Sequence, residues 1–202
     1  MKHIIDKSFS FCYAHRVHNQ TLNSAFTDRG ETKCSCRHLH GHEGLVKVFL
    51  EEIVTGKNIS ENGMVVDFKN LSWFKNFLDD YLDHKMILDE NDPLLPYEVP
   101  EIWNKGQTKL FEEFLIRDGR GFATVNLNKL VEMLKLDLMH PFDRALLEKY
   151  EGVVFVNFVP TSENLAGWLL QIAEEKMKGL DNVRVSAVEY WETPRSHCRV
   201  EN

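Results

Sequence analysis

The chain predicts an α+β fold, with a mostly antiparallel sheet and helices on one face. Three observations predict it. Residues near the N-terminus alternate with period two, the signature of a half-buried strand. Leu71, Phe74, Leu78 and Leu82, and later Leu165, Trp168, Leu169 and Ile172, recur at helical spacing. The elements also follow one another as three strands, a helix, an inserted segment, a helix and a strand, an order that groups strands and helices separately.

The elements justify themselves in turn. Phe9, Phe11, Tyr13 and His15 share one parity, and Ser8, Ser10, Cys12 and Ala14 the other, so the first strand has an aromatic face ending in His15. "NQTLNSAFTDRGETK" is polar and reads as a loop. "HLHGHEGLVKVFLEEIV" reads as a second strand and "GMVVDF" as a third. A helix then runs from Asp67, placed as its cap, to about Asp83. Residues 90–150 form an insertion expected to be helical, with "TKLFEEFLI" and "LNKLVEMLKLDLM" on either side of a turn at "RDGRG" and a further helix at "HPFDRALLEKY". "GVVFVNF" returns to strand. "PTSENLAGWLLQIAEEKMKG" is a helix with Thr161 or Ser162 at its cap, Glu163 favoured by the dipole and Gly179 at its stop. "NVRVSAVEYWET" closes as a strand.

Length and charge bound the function. A chain of 202 residues suffices for one domain with a real core, here 1–202 with 90–150 inserted. A net charge of -7 argues against a nucleic-acid surface, which needs a basic stripe. It also gives no global attraction for an anionic ligand, so any phosphate site must be local. Four cysteines, Cys12, Cys34, Cys36 and Cys198, stand in a chain whose first residues read as a strand rather than a signal peptide. This points to reduced thiols in the cytoplasm. No stretch approaches the roughly 20 apolar residues of a membrane span.

The densest chemistry lies in "KCSCRHLHGH", residues 33–42. Period two places His38, His40 and His42 on one strand face, from which neighbouring imidazoles can converge on one ion. His15, on another strand, is the best-placed completing ligand. A structural zinc site usually draws on two close pairs of ligands, and no second cysteine pair is present here. Three histidines with an open position is instead the catalytic pattern. A His-x-His strand can equally present its imidazoles to water, and spacing alone leaves both readings open.

A family resemblance adds to this. "FSFCYAHR", "CRHLHGH", "GMVVDF", "LDH", "PTSENLAGWL" and "YWETP" occur in the order found in the 6-pyruvoyltetrahydropterin synthase / 6-carboxytetrahydropterin synthase family, covering nearly all of the chain outside 90–150. The resemblance implies the tunnelling fold (T-fold), an antiparallel four-stranded sheet with two helices on one face. It implies Zn2+ held by His15, His40 and His42, with His38 in the spacer. The family cysteine lies four residues before the first His of HGH, which selects Cys36 over Cys34 as catalytic base. Asp83 and His84 match a proton-relaying pair, one that works within a chain only if the helix ends at them. Glu192 matches the carboxylate that accepts hydrogen bonds from the amino-pyrimidine edge, and Thr161 and Ser162 match positions that touch the pterin ring. Arg16, Lys33 and Arg37 flank the metal motifs as candidates for the triphosphate of 7,8-dihydroneopterin triphosphate, the implied substrate. Homohexamers of two stacked trimers are implied as well. Both branches of the family share these residues, and "WETPRS" looks more like the carboxytetrahydropterin branch. The pyruvoyl branch and a non-catalytic metal- or pterin-binding homologue are the alternatives. The insertion departs from the family's short connector.

Overall fold

The structure is a computed structural model describing residues 2–53, 63–180 and 182–202. In chain order its elements are β1 (Ile4–His15), β2 (His40–Glu52), α1 (Ser72–Tyr81), β3 (Lys85–Asp89), α2 (Leu95–Glu98), β4 (Trp103–Asn104), β5 (Lys109–Leu110), β6 (Leu115–Asp118), β7 (Phe122–Val125), α3 (Leu127–Leu134), α4 (Pro141–Glu151), β8 (Val153–Val156), α5 (Ser162–Met177), β9 (Val183–Thr193) and β10 (Ser196–Glu201). They form two compact units, one of Met1–Tyr13, His42–Asp83 and Thr161–Asn202, the other of Ala14–Gly41 and His84–Pro160. The chain passes between them within β1 and within β2.

In the first unit the strands lie in the order β10-β9-β2-β1. β9 pairs antiparallel with both β10 and β2, and the second ladder runs from Leu45 opposite Trp191 to Glu52 opposite Val183. The alternation expected of β1 holds, since Phe9, Phe11, Tyr13 and His15 are all buried. Helices α1 and α5 bury their apolar stripes on this unit. Phe74 meets Phe9 with ring centroids 5.2 Å apart, and Phe77 meets Trp168 edge-on at 5.9 Å. Gly44 is closely confined here: a Cβ at that position would stand 3.1 Å from the Tyr13 ring and 3.4 Å from the Tyr190 hydroxyl. The fourth strand, β10, follows a turn too short to have been separable from β9 by pattern alone.

One predicted strand is absent. The residues of "GMVVDF" are irregular up to Asp67, whose side chain accepts the Lys69 N–H at 2.7 Å and caps a 3-10 turn, Phe68–Leu71, leading into α1. Four apolar residues without alternation are too few to specify a ladder. Val54, the last residue of the predicted second strand, lies outside the described residues.

In the second unit the order is β3-β8-β7-β6, with β3 and β8 parallel and the remaining pairs antiparallel. Helices α3 and α4 appear where the sequence places them. "TKLFEEFLI" does not form a helix: it supplies β5, a 3-10 turn at Glu112–Phe114 and the start of β6. The reason sits in "RDGRG", which closes a β-hairpin. Asp118 accepts the Arg120 N–H at 2.9 Å, and Gly121 takes a φ of 91°, a conformation that an L side chain resists. Leu88, Leu95, Ile102, Leu130, Tyr150 and Phe155 form the centre of this unit's own core. Arg117 ties its rim together, donating to both Glu90 oxygens at 2.6 and 3.1 Å and both Glu112 oxygens at 2.9 and 2.8 Å.

Phe74 is fully buried among aromatic rings, so Phe74→Ala should destabilise the protein by about 3–5 kcal/mol. A fall in the urea midpoint measures it, and an unchanged midpoint would show that α1 does not anchor the first unit.

Candidate metal centre

The face of β1 that is apolar for most of its length ends in an imidazole. His15 is fully buried, and its Nδ1–H donates to the Pro160 carbonyl at 2.7 Å, just before α5 begins. A carbonyl only accepts, so Nδ1 carries the proton and Nε2 keeps its lone pair for another partner. His40 repeats the arrangement, its Nδ1–H donating to the His38 carbonyl at 2.8 Å. The His15 and His40 rings lie 4.7 Å apart, centroid to centroid. His38 thus contributes its backbone rather than its ring.

His42 and Glu192 occupy adjacent strands of the first unit, with Nε2 and Oε1 3.6 Å apart. Each of His15, His40, His42 and Glu192 offers one ligand atom, and these atoms all lie within 4.8 Å of one another. Three imidazoles and a carboxylate suit a borderline divalent ion. Ligands held tetrahedrally at 2.0–2.1 Å stand about 3.4 Å apart, so the His42–Glu192 spacing already fits. Such a group can hold a metal ion. The sequence reading had set Glu192 apart from the histidines, as a pterin contact.

Two tyrosines of the first unit, Tyr13 beside His42 and Tyr190 beside Tyr13, carry no functional expectation from the sequence. Tyr13 lies two residues before His15, with its ring 5.8 Å from that of His42 and 6.1 Å from that of Tyr190. Burial pushes both phenols well above their ordinary range, and the Glu192 charge adds to the rise in both. Both therefore stay neutral donors at physiological pH. The parity shared by Tyr13 and His15 was the available signal.

The other expected residues are placed as follows. Cys36 sits in the 3-10 turn Ser35–Arg37, its carbonyl accepting the Val17 N–H at 2.8 Å. Helix α1 ends at Tyr81, so Asp83 and His84 lie beyond it. Asp83 accepts the Cys12 N–H at 2.7 Å, and His84 takes a left-handed φ of 57°. Thr161 is the cap of α5, accepting the Asn164 N–H at 3.3 Å, and Ser162 is the first helical residue. Arg16 and Arg37 have structural employment. Arg16 pairs with the buried Asp92 at 3.1 Å, and Arg37 donates to the Gln20 carbonyl at 3.0 Å. Beside Arg16, His18 pairs with the buried Asp89 at 3.0 Å. Lys33 is exposed.

The model of the 6-pyruvoyl tetrahydropterin synthase family matches residues 4–104 and 112–202. The chain belongs to this family. Its members are enzymes of pterin chemistry. The chain is 35% identical over 116 residues to the 6-carboxy-5,6,7,8-tetrahydropterin synthase of Aquifex aeolicus, a match covering 55% of this chain and 68% of that relative. An uncharacterized protein from Wolinella succinogenes, known from its crystal structure, is 40% identical with a TM-score of 0.81, over 100% of this chain and 99% of the other. A mutant 6-pyruvoyltetrahydropterin synthase of Plasmodium vivax shares the fold, with a TM-score of 0.54 at 16% identity over 100% and 98% of the two chains. The fold is accordingly the tunnelling fold of this family. Among the described residues no helix is long and apolar enough to cross a membrane.

Titration of the metal-free protein with Zn2+ or Co2+ should show one ion per chain, with affinity falling on acidification as protons compete for the imidazoles. His40→Ala should weaken binding by at least about 100-fold. Unchanged affinity in that variant would remove the group as the binding site.

Proposed function

We propose that this chain is a 6-carboxytetrahydropterin synthase. With water, 7,8-dihydroneopterin triphosphate becomes 6-carboxy-5,6,7,8-tetrahydropterin, acetaldehyde and triphosphate, a carbon–carbon lyase reaction serving queuosine and other 7-deazaguanine biosynthesis. The observation that carries the reading is the grouping of His15, His40 and His42 with Glu192. The family membership and the name of the Aquifex aeolicus relative support it.

Zinc is the proposed ion, and the three imidazoles are its proposed ligands. When bound it supplies a Lewis acid for the hydroxyls of the substrate side chain. The remaining work falls to the chain's own groups. Cys36, as thiolate, takes a proton from the side chain. Asp83 and His84 relay protons; the end of α1 before them frees the pair from helical geometry, in which sequence neighbours diverge. Glu192 accepts two hydrogen bonds from the amino-pyrimidine edge and so orients the pterin beside the imidazoles. Thr161 already accepts a backbone N–H, so its hydroxyl proton remains to donate to the ring, with Ser162 beside it. A single synthase domain over 1–202, with 90–150 inserted, a homohexamer of two trimers and a cytoplasmic location belong to the same proposal.

The second reading is 6-pyruvoyltetrahydropterin synthase, the activity after which the matching family model is called. Products separate the two. Acetaldehyde with a carboxylated pterin is expected; pyruvoyltetrahydropterin without acetaldehyde rejects the proposal in favour of the second reading. Bound zinc without turnover would reduce the chain to a pterin-binding homologue. Cys36→Ala should lower turnover by about 10²–10⁴-fold. Glu192→Gln should retain one metal ion per chain while KM rises by about tenfold or more, the loss of hydrogen bonds to a charged group. Loss of the ion in that variant would make Glu192 a ligand instead.

A further inference from the structure

Cys34 is assigned nothing by the reading above, yet its thiol touches the one that matters most. The two Sγ atoms of Cys34 and Cys36 lie 3.1 Å apart, inside ordinary sulfur–sulfur contact. Cys34 also accepts the Cys36 backbone N–H at 3.4 Å, which folds the three-residue stretch so that both side chains leave on the same side. The turn is held from outside as well, through the Val17 N–H on the Cys36 carbonyl and through Arg37 on Gln20. Both thiols are partly exposed, so a small solute can reach them. An approach of about 1 Å would bring the sulfurs to the roughly 2.05 Å of a disulfide.

We propose that Cys34 and Cys36 form an oxidation site for small hydroperoxides, closing a reversible disulfide across Ser35. One thiolate attacks a peroxide oxygen; an S–O bond forms, the O–O bond breaks and water leaves. The second sulfur then attacks the first, an S–S bond forms, the S–O bond breaks, and the departing hydroxide leaves as water with the second thiol's proton. Two thiols lose two electrons and one hydrogen peroxide becomes two waters. Cys34 is the resolving partner that diverts Cys36 from irreversible over-oxidation. The claim that this interrupts turnover rests on Cys36 being the catalytic base, whereas the claim of a bond does not.

Mass mapping tests the bond directly. The full-length protein, treated with modest hydrogen peroxide, should lose two thiols and about 2 Da, with the 34–36 link recovered in one peptide and removed by dithiothreitol. Cys34→Ser should instead carry a dimedone-reactive sulfenic acid or its higher oxides on Cys36, with no such link. Over-oxidation of Cys36 in wild type with Cys34 left as thiol overturns the proposal. So does a link involving Cys12 or Cys198. Turnover measured in parallel distinguishes the two claims. A link that forms while turnover persists leaves the site intact and removes Cys36 from catalysis. A link accompanied by turnover loss and recovery in dithiothreitol supports both.

Discussion

Everything at the candidate centre depends on one geometric constraint, the two-residue alternation of an extended chain. On β1, β2 and β9 the side chains of one parity build the core beneath α1 and α5, and towards one end the same parity passes from Phe11, Val46 and Val188 to His15, His42 and Glu192. A core face cannot be shifted by one residue without turning its hydrophobic set to solvent. The burial of those apolar residues therefore also sets the register of the polar ones. The placement of side chains that could hold a metal ion is inherited, strand by strand, from packing that has no chemical part in it.

Much of this was legible because it depends on local pattern. The His-x-His spacing, the parity of His15 with the aromatic residues before it and the cap at Thr161 are all short-range signals that the structure reproduces. What escaped depends on partners remote in sequence. Nothing in "HRVH" says that Arg16 and His18 find Asp92 and Asp89, partners far along the chain. "TKLFEEFLI" carries helix-favouring Leu, Lys and Glu, but the hairpin closed by Asp118 and Gly121 commits its second half to pairing with β7. Tertiary pairing overrides propensity there.

The segment 90–150 has an economy of its own. It contributes β4 to β7 as well as helices, and its aromatic and aliphatic residues make a separate core rather than a thin cover. Arg117, gripped by Glu90 and Glu112, joins the start of this segment to its central hairpin. Charged groups arranged bidentately in this way favour a defined geometry over mere attraction.

The bond from His15 to the Pro160 carbonyl carries a consequence for how this connector can vary. Because the acceptor is main chain, no particular side chain at 160 is needed to hold the imidazole tautomer, and substitution there is chemically silent as far as that bond is concerned. Adding or deleting a single residue between β8 and α5 is another matter, since it would slide the oxygen away from the ring. Over this stretch, tolerance is set by loop length rather than by spelling.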